Sequence, residues 1–177
     1  LGHLHLHPCY CHARGTIVAA NTHEGPIPGV RLTVDDARIT KVEGGGRWGE
    51  ELRRVIDYLK AVAYPGYPGP GVNWLEELTI GIDVTAARDP EWDKYFGSAR
   101  AFGWMESRRR SGVLHMAMGI SMAGPAAPFV EKTGLPLIHR DHEFYFADFY
   151  VNGEKIVDTG HLVLLGDPEV RESAKKF

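Results

Sequence analysis

The chain reads as an α+β protein of mixed and antiparallel strands with two or three helices, and with a metal pocket lined by strand ends. Three observations predict this. Polar and apolar residues alternate with period two in HLHLH (3–7) and through VRLTVDDARITKVE (30–43), the pattern of strands that face two environments. Asn152-Gly153 stands between two more alternating runs, the strongest short hairpin signal a sequence offers. Helical spacing is clearest in a single stretch, where Leu52, Val55, Ile56, Leu59 and Val62 recur on one face between Trp48 and Ala63.

The elements follow in order. HLHLHP opens the chain as a strand with His3, His5 and His7 on one face and Leu4 and Leu6 on the other. RGTIVAA (14–20) is a second strand, and NTHEGPIPG (21–29), broken by Gly and Pro, reads as a loop. The runs from 30 to 43 form a hairpin turning at Asp35-Asp36-Ala37. In the helix from Trp48, Glu50 and Glu51 are expected early, where the helix dipole favours acids. YPGYPGPG (64–71) is a loop, because its prolines interrupt any regular hydrogen-bond ladder. LEELTIGID (75–83) is a short apolar run, and a second helix is expected from Pro90 to Arg108, its aromatics core-facing. GVLHMAMGI (112–120) is a buried strand, left by a Gly/Pro/Ala loop over 121–128. After the Asn152-Gly153 hairpin, PEVRESAKKF closes the chain as a small helix.

The 177 residues are 44% hydrophobic, enough for one domain with its own core over 1–177. A formal charge of -3 leaves no basic footprint for nucleic acid, and Arg108-Arg109-Arg110 reads as a solvated helix end. No apolar run approaches the roughly 20 residues that span a bilayer, so no membrane is expected. Cys9 and Cys11, one residue apart, are too close for an ordinary disulfide, which points to the reducing cytoplasm. They also fail as a zinc knuckle, since a CxC without a second pair cannot complete a tetrahedral site.

The chemistry concentrates in IHRDHEF (138–144). His139 and Asp141, at i and i+2 of an extended segment, project to the same side and can reach one divalent ion. Glu77 lies in the apolar run Leu75 to Gly81, and His115 inside GVLHMAMG, where a lone histidine is a core residue as readily as a ligand. A carboxylate, an imidazole and the His-x-Asp pair, contributed by separate strands, are the ingredients of a metal centre.

The order of the motifs resembles the aminopeptidase T metallopeptidases, the thermophilic or leucyl aminopeptidases, in their C-terminal metal-binding part. The segments that carry the resemblance are GHLHLHP (2–8), GTIV (15–18), VDDARITKVEGG (34–45), ELTIGID (77–83), HMAMG (115–119), HRD (139–141) and FYVNGEKI (149–156). The resemblance implies Glu77, His115, His139 and Asp141 as ligands, with His3 at the position of a family glutamate and Met122 where the family has tyrosine. It implies a divalent metal (zinc, cobalt or manganese), a peptide or small-molecule substrate, a homodimer, and an N-terminal domain missing from this chain. Hydrolysis by metal-activated water is the activity implied first, with Glu76 or Glu24 as candidate base. The alternative is a related ring-cleaving dioxygenase for dihydroxypyridine-like aromatics, using Fe(II) with His142 or His5 taking the substrate proton. A relative that keeps the fold without activity is the third.

Overall fold

The computed structural model describes residues 2–10, 12–22, 25–83, 109–121 and 123–174. Among them strands dominate: β1 (His3–Leu6), β2 (Gly15–Thr22), β3 (Gly25–Asp35), β4 (Arg38–Gly44), β5 (Leu75–Gly81), β6 (Leu114–Gly119), β7 (His139–Phe144), β8 (Phe149–Val151), β9 (Glu154–Asp158) and β10 (His161–Leu162). The helices are α1 (Gly46–Leu59), α2 (Ala126–Thr133) and α3 (Pro168–Ala174). Seven strands form one sheet in the order β1-β5-β6-β7-β2-β3-β4, and β10-β9-β8 form a small second sheet. The fold class is α+β, as the alternation predicts. No described helix is long and apolar enough to cross a membrane.

The chain divides into two compact units, one of residues 6–78 and 116–142 (the central unit), the other of residues 1–5, 79–115 and 143–177 (the terminal unit). The division falls inside β1, β5, β6 and β7.

In the central unit, β2, β3 and β4 form an antiparallel meander. Val30, Leu32 and Val34 alternate inward from β3, with Ile17 and Ala19 from β2 and Ile39 from β4 buried alongside. Asp36 and Ala37 make the tight turn, both at positive φ (45° and 59°), the geometry whose twist matches a two-residue hairpin. Of the stretch expected as a loop over 21–29, the described residues are strand instead: β2 runs to Thr22, β3 starts at Gly25, and Asn21 pairs with Pro26. Its prolines are tolerated because the β4 ladder reaches only to Val30, opposite Gly44, so Pro26 and Pro28 have a strand neighbour on one side only.

Helix α1 begins two residues earlier than its apolar pattern shows. Gly44, Gly45 and Gly46 all sit at positive φ and turn the chain from β4 into the helix. Glu50 and Glu51 therefore fall in the second turn, and the first turn holds no acid. The helix stops at Leu59, where Val62 N–H bonds Leu59 O in a closing turn ahead of Pro65. Its end packs into a core of Leu59, Tyr64, Val72, Trp74, Ile120 and Ala126. Ala126 belongs to α2, a helix inside and beyond the expected loop; Gly134, left-handed at φ 67°, stops it by bonding Val130 O.

In the terminal unit, Ile80, Leu114 and Val157 form a small core, with Phe144, Phe149 and Leu162 against it. Asn152 (φ 52°) and Gly153 (φ 85°) join β8 to β9 as the dipeptide predicts. A second tight turn at Thr159-Gly160 leads into β10. The helix expected over 90–108 lies outside the described residues.

Candidate metal centre

β7 is the strand that the IHRDHEF segment predicts, and its alternation puts His139 and Asp141 on one face. The pair meets directly: His139 Nε2 lies 3.1 Å from Asp141 Oδ1. Glu77 of β5 approaches the same nitrogen, its Oε2 3.7 Å away. The other ring nitrogen, Nδ1, faces Glu76 Oε2 at 3.5 Å. Consecutive residues of β5 thus reach one imidazole from its two edges. Glu76, Glu77, Asp141 and His142 are buried, and the His139 side chain is nearly so. Burial alone would push the His139 imidazole down, but Asp141 first, then Glu76 and Glu77, outweigh it and hold it above the ordinary histidine value.

Three buried carboxylates stand around one imidazole. Such groups are stable out of water only when paired or bound to a cation. Glu76 Oε2 and His139 Nδ1 are buried and have no hydrogen-bond partner among the described residues. One ligand atom from each of Glu76, Glu77 and His139 lies within 4.8 Å of the others, and so do ligand oxygens of Glu77 and Asp141. Donors roughly 2.1 Å from a common ion at 90–110° stand about 3.0–3.5 Å apart, close to the 3.1 and 3.7 Å spacings from His139 Nε2. The residues fit a divalent cation, with Glu77, His139 and Asp141 as its donors. Glu76 then faces the far nitrogen of the ligating ring at 3.5 Å, where an acid that closes to hydrogen-bond distance fixes tautomer and orientation.

Glu76 is itself held from the other side. His7, just past the end of β1, places Nδ1 3.0 Å from the Glu76 main-chain oxygen and 3.5 Å from its Oε1. A carbonyl only accepts, so the Nδ1 nitrogen carries the proton and donates it to that oxygen. The His7 side chain is 62% exposed, so it joins solvent to an otherwise buried carboxylate.

The remaining candidates lie as follows. His142 is fully buried, and alternation turns it to the face of β7 opposite His139 and Asp141, edge-on to Trp48 with ring centroids 5.1 Å apart. His115 is fully buried on β6, the strand between β5 and β7 in the sheet. His3 is half-buried on β1, while His5, Leu4 and Leu6 are exposed, so this edge strand has no wholly apolar face. Glu24 and Met122 lie outside the described residues. The partnership of Glu76 with both His7 and His139 was not evident from sequence; the signal was the register of three alternating histidines.

No family model matches the chain. The fold is similar to that of 2,5-dihydroxypyridine dioxygenase from Pseudomonas putida, with a TM-score of 0.60 and 18% identity over 89% of this chain. This chain spans 42% of that structure. A shorter stretch of 67 residues, 36% of the chain, is 37% identical to part of the RecBCD enzyme subunit RecC of Mycolicibacterium smegmatis, of which it spans 6%.

Proposed function

We propose that this chain is the metal-binding part of an enzyme that opens the ring of a dihydroxylated nitrogen heteroaromatic with dioxygen. The observation that carries this is the combination of a fold shared with a dihydroxypyridine dioxygenase over 89% of the chain and a buried cluster in which Asp141 and Glu77 both approach His139 Nε2. A bound Fe(II) supplies the redox centre for such chemistry, and imidazole with carboxylates suits that ion while leaving positions open. In this reading Glu77, His139 and Asp141 hold the ion. Glu76 orients the His139 ring, and the strand walls keep the carboxylates dry. The resemblance adds His115 and His3 as ligands; metal content of His115→Ala and His3→Ala decides whether they belong.

The second reading, hydrolysis of peptides as in the aminopeptidase T family, is favoured by the acid-rich donor set. Glu77 and Asp141 both approach one ring nitrogen, giving more carboxylate than the two-histidine, one-carboxylate site of iron oxygenases.

Elemental analysis of protein purified without oxygen or chelator, followed by parallel assays of oxygen uptake with 2,5-dihydroxypyridine and amino-acid release from short peptides, separates the two. One iron per chain with oxygen uptake supports ring opening. Zinc, cobalt or manganese with amino-acid release replaces it by hydrolysis. Either way, His139→Ala and Asp141→Ala are expected to lose bound metal while the protein stays folded, because ligands on a preformed scaffold contribute to affinity more than to packing. Full metal content in both variants sinks the site.

A further inference from the structure

The terminal unit contains a cavity of about 520 Å³ with no part in the chemistry above, within the ~300–1,000 Å³ of small-molecule sites. Its walls are fixed by backbone. Arg110 is bridged to Asp83 main chain to main chain, and its own carbonyl accepts Val113 N–H. Gly112 presses against the Thr159-Gly160 turn so closely that a Cβ there would stand 2.0 Å from Gly160 O. This packing brings the Arg110-Ser111 segment alongside His161. From the third side, a 3-10 turn at Val163–Gly166 leads into α3, whose start is capped by Asp167 Oδ1 accepting Glu169 N–H at 2.7 Å. Arg171 of α3 donates Nε to Leu165 O at 2.8 Å, which holds its guanidinium at the cavity.

The lining holds two arginines, both exposed, and two acids, and the two signs are not paired with each other. Among the described residues, neither the Arg110 guanidinium nor the terminal nitrogens of Arg171 has a carboxylate partner. Of the two acids in the lining, Asp158 is engaged by Lys155 at 2.8 Å, and Asp83 makes contacts of its own. Leu162, Val163 and Leu165 give the cavity an apolar side. Two guanidinium groups without a carboxylate partner, beside an apolar wall, match a ligand with an oxyanion at one end and a hydrocarbon or aromatic body at the other, because the planar fork of arginine pairs with carboxylate and phosphate through parallel hydrogen bonds.

We propose that this cavity is a binding site for a small organic oxyanion, a carboxylate or a phosphate monoester, held at its charged end by Arg110 and Arg171 and packed on Leu162 and Leu165. The site shares no lining residue with the metal centre and is independent of which reaction that centre performs.

The test is calorimetric titration of the full chain at low ionic strength with benzoate, phenyl phosphate and inorganic phosphate, with and without chelator. Saturable binding of benzoate or phenyl phosphate is expected, unaffected by chelator and weakened about tenfold in Arg110→Gln and in Arg171→Gln. Binding of benzoate alone assigns a carboxylate ligand, and of phenyl phosphate alone a phosphate ester. The guanidinium of Arg110 makes no hydrogen bond within the described structure, so Arg110→Gln remains a fair test even if Arg171→Gln, which loses its Leu165 bond, unfolds. Absence of saturation with all three probes overturns the proposal, as does wild-type affinity in Arg110→Gln. Inorganic phosphate binding as tightly as phenyl phosphate overturns the part assigned to the apolar wall.

Discussion

His7 and His139 are both histidines on or beside strands, yet their surroundings assign them opposite tasks. His139 is enclosed by Asp141, Glu77 and Glu76, whereas His7 stands mostly in solvent and touches Glu76. Glu76 can point at His139 because its main chain and its other oxygen are both engaged by His7. Removal of that support loosens the orienting acid, and such outer partners typically carry ~10–100-fold in metal affinity. His7→Ala is therefore expected to bind metal about tenfold more weakly in competition with a chromophoric chelator, and His7→Gln, which keeps an N–H donor, to recover much of the loss. Equal affinity in all three proteins would reduce His7 to a surface contact. The His139-Asp141 pairing was legible from spacing alone, since period two leaves no freedom in which side chains share a face. The His7-Glu76 contact was not, because it depends on where the chain goes after β1 ends.

At the scale of the element, the β8–β9 hairpin joins local sequence to stability most directly. Gly153 holds φ 85°, and a Cβ placed there meets nothing within 4 Å. Gly153→Ala thus tests conformation without steric conflict, and a loss of ~1–2 kcal/mol is expected in urea denaturation. Asp148 tethers the same sheet: its carboxylate accepts Thr159 N–H at 2.7 Å and faces Lys155 at 3.3 Å. Thr159 first, then Lys155, hold the Asp148 carboxyl below the ordinary aspartate value. A group whose pKa is lowered by folding stabilises the fold above its unfolded value and loses that contribution as pH falls through the folded one. The stability difference between wild type and Asp148→Asn should be steady at neutral pH and shrink below about pH 3.9. A difference that persists unchanged in acid would show that the charge is irrelevant.

Glycine and proline explain where the elements departed from their sequence patterns. Pro26 and Pro28 read as loop because proline cannot donate to a ladder, but β4 ends before it reaches them, so that cost does not arise. Gly44 to Gly46 carry no hydrophobic pattern, yet their positive φ values start α1 before its first apolar residue. α2 has too few apolar positions for a periodic signal and is stopped by Gly134. Each departure turns on a neighbour that the local sequence does not name.

For the whole molecule, the buried carboxylate cluster makes a thermodynamic prediction. A ligand that binds only the folded state stabilises it, by ~2.7 kcal/mol at a hundred times its dissociation constant. Addition of the correct divalent ion should raise the Tm of wild type, chelator should reverse the rise, and Asp141→Ala should show neither effect. An ion that shifts both proteins equally is binding elsewhere. Sequence by itself determined the α+β class, the main strands and both hairpins, because alternation and turn chemistry act over a few residues. It also marked His139, Asp141 and Glu77, whose residue types and spacing carry their chemistry locally. Only the tertiary structure decided that Glu76 lies between His139 and His7, that His142 turns to Trp48 on the other face of β7, and that Arg110 and Arg171 meet at one cavity. Those are contacts between segments distant in the chain, set by sheet order and packing, to which no local period is sensitive.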